Sequence, residues 1–137
     1  MDKMVKIELG GREVFLNYSM EVMFQVIEKY GAVKNALEKL EEDTREGFAV
    51  TKHLALLMAH DGELVRRTAG YDHSPFLAEE DVCVHMTPHE FSLFRESVVK
   101  AIAAGYGRET KSENEEVDVG LQQLQQKKTK AEAGAPN

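Results

Sequence analysis

The sequence predicts an α+β domain, mostly α, followed by a flexible tail. Three observations carry this reading. Apolar and charged residues alternate from Val5 to Leu16 around Gly10-Gly11, the period of two strands. Downstream, apolar residues recur at helical spacing between good capping residues as far as Gly105. After Gly107 the aromatic residues cease, and Val117, Val119, Leu121 and Leu124 are the only branched aliphatics left. Such a segment buries too little apolar area to offset its ordering entropy. The expected organisation is a globular domain over residues 1–107 and a polar, flexible tail over 108–137. Strands segregated from helices make the body α+β.

The first element is a β-hairpin. Val5, Ile7 and Leu9 alternate with Lys6 and Glu8, and Gly10-Gly11 suits the positive dihedrals of a two-residue turn. The return strand places Val14 and Leu16 on one face and Glu13, Phe15 and Asn17 on the other. Two strands alone are marginal, so one face must rest on helices. Four or five helices follow. Ser19 caps the first, in which Met20, Met23, Phe24, Ile27 and Tyr30 form the expected core stripe and Gly31 the stop. A second, over about 33–41, carries Val33, Ala36, Leu37 and Leu40. Thr44 caps a third that runs to about His60, with Val50, Leu54, Leu57 and Met58 as its stripe and Phe48 and Leu56 beside it. Asp61-Gly62 is expected to interrupt it, with a short helix resuming through Leu64, Val65 and Ala69. Residues 70–75 read as a loop, and Val82 to Met86 fits either a short strand or helical turns. Thr87-Pro88-His89-Glu90 is a capping box with proline at the first helical position. The last helix then presents Phe91, Phe94, Val98 and Ile102, flanked by Leu93 and Ala101. The expected core joins Phe24 and Ile27 to Leu54, Leu57, Phe94 and Val98.

Composition narrows the function. The chain has 137 residues, 42% hydrophobic and 30% charged, with a formal net charge of -7. An acidic chain without a basic patch repels nucleic acid, and Arg66-Arg67 and Lys127-Lys128 are too short for a phosphate footprint. The longest apolar run, Leu54 to Ala59, is too short to span a bilayer. Met1-Asp2-Lys3-Met4 leads directly into a charged segment, unlike a secretory leader, so a cytoplasmic location is expected. Cys83 is the single cysteine, which excludes an internal disulfide.

No catalytic constellation emerges. His53 and His60 share a helical face, with Asp61 beside the second. Cys83, His85 and His89 resemble a metal cluster, but a proline and a helix start separate His85 from His89, and no full ligand set has a known spacing. Gly105-Tyr106-Gly107 follows a helix, the wrong polarity for a phosphate site. The acidic run from Glu38 to Asp43 reads as a solvated face. Met20, Met23 and Met58 read as core fillers, or else as an adaptable groove for another protein's segment. The residues alone thus favour a non-catalytic interaction protein without catalytic, cofactor or metal residues.

The order of features resembles the small tail assembly chaperones of long-tailed, siphovirus-type bacteriophages and prophages. The resemblance lies in the hairpin Lys6-Ile7-Glu8-Leu9-Gly10-Gly11-Arg12-Glu13-Val14, a helix like that from Ser19 to Gly31, and a final one like that from Thr87 to Ile102. It spans about residues 4–107; residues 62–86 match least. It implies a protein that binds the apolar tape measure protein, keeps it soluble, helps recruit tail tube protein and is absent from the finished virion. It also implies, in many phages, a longer frameshifted form with the same body. Self-association is a further possibility. The alternatives are a structural tail component, such as a tube-end or joining protein, and a small metal-dependent regulator using Cys83, His85 and His89.

Overall fold

The computed structural model describes residues 4–82 and 86–108. Strands β1 (Val5–Leu9) and β2 (Arg12–Leu16) form an antiparallel hairpin. Helices α1 (Met20–Tyr30), α2 (Val33–Leu40), α3 (Arg45–Thr68) and α4 (Pro88–Gly105) follow, with a 3-10 turn at Glu79–Asp81. The α+β, mostly α reading thus holds. Residues 109–137 of the expected tail, and Cys83 and His85, lie outside the described residues.

Local chemistry sets most boundaries. Gly10 and Gly11 take φ of 59° and 79°, as a two-residue turn between twisted strands requires. The Ser19 hydroxyl accepts from the Val22 amide, and Thr44 from Gly47. At α4 the capping box forms in both directions: Thr87 accepts from the Glu90 amide, and Glu90 accepts from the Thr87 amide at 2.9 Å.

The core lies between one face of the hairpin and the helices. Val14 and Leu16 meet Val22 and Val26 of α1, Leu37 and Leu40 of α2, Leu54 and Met58 of α3, and Phe94, Val98 and Ile102 of α4. Tyr18 ties the end of the hairpin to the end of α4, its hydroxyl 3.2 Å from that of Tyr106.

Two expectations are corrected. The third helix does not break at Asp61-Gly62; it runs unbroken through both to Thr68. Gly62 is there for clearance. A Cβ on it would sit 2.1 Å from the Phe15 carbonyl oxygen, so β2 and α3 meet backbone to backbone. The Asn17 amide donates to the Met58 carbonyl at 3.0 Å, and Asn17 Nδ2 to Asp61 at 2.7 Å, completing the seam.

The second correction concerns α1. Its buried residues are Val22 and Val26, while Met20, Phe24 and Ile27 are 62%, 47% and 36% exposed. At about 100° per residue, α1 is apolar over roughly half its circumference. Helices α2 and α3 cover the arc through Val22, Val26, Met23 and Tyr30, whose hydroxyl meets His53 of α3, and leave the other arc outside. Leu57 is half-buried, so of the expected core set only Leu54, Phe94 and Val98 lie fully inside.

Gly62→Ala should lower stability by about 1–3 kcal/mol, because the clash outweighs the roughly 1 kcal/mol that alanine gains in a helix interior. Urea unfolding of the purified variant checks this; a rise in midpoint would mean that the seam is looser. Phe94→Ala should cost about 3–5 kcal/mol and Phe24→Ala well under half of that, a contrast that parallel melts would reveal.

Candidate functional site

The polar residues of the central region converge on Glu63. It lies on the inner side of α3, 7% exposed, one of two buried polar residues among those described. Arg66 and Arg67, one turn on, fold back onto it at 2.7 and 2.9 Å. The Ser74 amide donates to the same carboxylate at 2.7 Å, and Arg67 donates to the Ser74 carbonyl at 2.9 Å. Arg12 of β2 donates to the Pro75 carbonyl and lies 3.8 Å from Asp81. Aromatic contacts close the assembly. Arg67 sits over Phe76 at 4.3 Å, His60 stacks on Phe76 at 4.2 Å, and Arg66 lies between Phe15 and Tyr71. The segment after α3 is thereby strapped to α3 and the hairpin.

This clasp leaves a cavity of about 330 Å³ beside Arg12, Phe15, Glu63 and Arg66. Burial raises the Glu63 pKa, but the Ser74 amide and the two guanidiniums outweigh it and hold the carboxyl at about 2. A carboxylate that already accepts from three donors and is held this acidic is a poor base for a substrate proton near neutral pH. The arginine pair, legible in the sequence as a short basic motif, is turned inward onto Glu63, which offsets one of its two charges.

The predicted site residues separate. His53 Nδ1 lies 2.9 Å from the Tyr30 hydroxyl, and burial together with Lys29 pushes its pKa down. His60 faces Phe76 instead, so the two histidines serve different contacts. Asp61 is engaged by Asn17. His89 is exposed in the first turn of α4. Among the described residues no group of three or more His, Cys, Asp or Glu could hold a metal ion. Among them, too, no helix is long and apolar enough to cross a membrane.

What remains open is apolar. Met20, Phe24 and Ile27 lie at i, i+4 and i+7, one continuous stripe along the outside of α1. Half-buried Met23 joins this stripe to the core. Leu93 on α4, 52% exposed, stands apart beside the free edge of β1. The sequence signal for the α1 stripe was its excess apolar arc, wider than one packing face needs. The fold and these surfaces define a small, mostly helical α+β domain with a helix face that is apolar and exposed among the described residues. Compared with known proteins, the chain matches no family model, no curated protein and no solved structure.

Glu63 makes stability depend on acid. Its folded pKa is depressed to about 2 from 4.5, so its contribution is complete above about pH 4.5 and is lost as pH falls toward 2. Glu63→Gln should cost on the order of 3 kcal/mol at pH 7 and less than half of that at pH 3. Denaturant curves at the two pH values measure the difference; an equal cost at both would show that the carboxylate charge is not what holds the clasp.

Proposed function

We propose that the chain is a phage tail assembly chaperone: a non-catalytic protein that covers apolar helices of the tape measure protein and helps assemble the tail tube. It acts in the host cytoplasm and is absent from the finished virion. The observation that carries this reading is the stripe of Met20, Phe24 and Ile27 on α1. A helix face exposed at i, i+4 and i+7 suits a client helix that lays its own apolar stripe alongside. Methionine and phenylalanine adapt to clients of varied shape. The net charge of -7 keeps such a face from driving unspecific association. The element order that resembles tail assembly chaperones supports the same reading.

Co-expression with the tape measure protein of the same locus is the test. The native chain should raise the soluble fraction of that client and co-purify with it. Phe24→Asp should abolish both effects while keeping its melting temperature within about 3 °C, since the position is half outside already. Leu64→Asp, exposed on α3, serves as the control and should behave as wild type. A client left insoluble and unbound by the native chain would sink the assignment. Full rescue by Phe24→Asp would move the contact off α1.

A further inference from the structure

The free edge of β1 carries an inference that does not depend on the client. In a hairpin closed by a two-residue turn, the pair beside the turn is hydrogen-bonded, and bonded and non-bonded pairs alternate from there. Leu9 opposes Arg12, Ile7 opposes Val14 and Val5 opposes Leu16. The backbone groups of Val5, Ile7 and Leu9 are therefore engaged by β2, and those of Lys6 and Glu8 point outward. Among the described residues none donates to or accepts from them. A groove of about 530 Å³ runs along this edge. Successive residues of β1 line it on one side, and Met86, Leu93 and Phe94 line the other. The opposite edge of the sheet is closed, because the Phe15 carbonyl abuts Gly62 and the Asn17 amide is bonded to Met58.

We propose that β1 pairs antiparallel with β1 of a second copy, about a two-fold axis through Ile7, to make a four-stranded sheet. Charge complementarity selects this occupant. In that register Lys6 stands opposite the second copy's Glu8, and Glu8 opposite the second copy's Lys6. Each forms an outward, hydrogen-bonded pair, so the free amides and carbonyls are satisfied together with the charges. Within one chain Glu8 lies directly opposite Glu13, a like-charge pair, while Lys6 reaches diagonally to Glu13 at 3.4 Å. Glu8 has no ion pair among the described residues, and the second copy's Lys6 supplies the missing cation. Sliding the register by two residues sets Lys6 against Lys6 or Glu8 against Glu8, and sliding by one turns the apolar face outward. The face that carries Val5, Ile7 and Leu9 then continues across the axis, over the groove side of Leu93. Because β2 is blocked by α3, pairing stops at two copies, a closed isologous contact.

Sedimentation equilibrium of the full chain at about 5–200 µM, a range suited to a small interface, tests this. The mass should approach twice 15.4 kDa. Glu8→Lys places a lysine opposite Glu13 in its own hairpin, so folding is spared, yet it sets lysine against lysine across the axis. It should weaken the dimer about tenfold or more. The double variant Lys6→Glu with Glu8→Lys restores opposite charges and should recover the native constant to within about threefold. A native chain that stays monomeric throughout, as it would if the edge received a strand of another protein, overturns the proposal. So does a Glu8→Lys dimer of native strength, or a double variant no tighter than the single.

Discussion

The contact between the backbone of β2 and the backbone of α3 at Gly62 organises this domain. A hairpin of two five-residue strands cannot stand alone in water, and here it gains its footing on a helix without an intervening side chain at the crossing. The close approach lets Val14 and Leu16 reach Leu54 and Met58 in the core. It also decides which sheet edge remains available. Since α3 closes the β2 side, β1 is the strand left open among the described residues. The segment after α3 in turn depends on the same helix, because Glu63, next to Gly62, anchors it through Ser74.

Elements whose signals are local were legible in the sequence. The Gly10-Gly11 turn and the Thr87-Glu90 capping box each satisfy their own backbone, so residue type and spacing suffice to place them. Gly62 shows the opposite case. Its poor helix propensity argues for a break at about 1 kcal/mol, a small penalty that the tertiary seam overrides. Nothing local reveals that Phe15 will lie against it. The face of α1 failed for a related reason. The larger apolar residues, Met20, Phe24 and Ile27, outweigh Val22 and Val26 on the sequence, yet the face turned to α2 and α3 takes the valines. The Glu63 clasp had a usable sign, since Arg66 and Arg67 follow the glutamate at i+3 and i+4. What the spacing lacked was Ser74, which arrives from the following loop and makes the cluster a strap.

Phe24 and Ile27, expected in the core but exposed, belong to the stripe on which the proposed function rests. A helix broader in apolar arc than its packing face presents a surface that solvent tolerates only in small patches. A three-residue stripe stays within that limit, and the chain's negative charge keeps copies from meeting indiscriminately. The edge of β1 is managed differently. Natural edge strands are blunted by proline, bulges or charge, and β1 has only charge, of both signs. Alternating signs repel most strands but not a strand of the complementary order.

The two open surfaces also bear on each other. The proposed dimer would carry two α1 stripes in one particle, and under the proposed function a client with successive apolar helices would engage both. The second engagement would then be intramolecular, its strength set by an effective concentration in the millimolar range for short spans rather than by the free concentration of the protein. Under the proposed chaperone function, a stripe that holds a client helix weakly alone would hold it more firmly when doubled, and displacement of one contact would favour release. Weak individual contacts are thus consistent with a protein that must bind a long client and afterwards leave it.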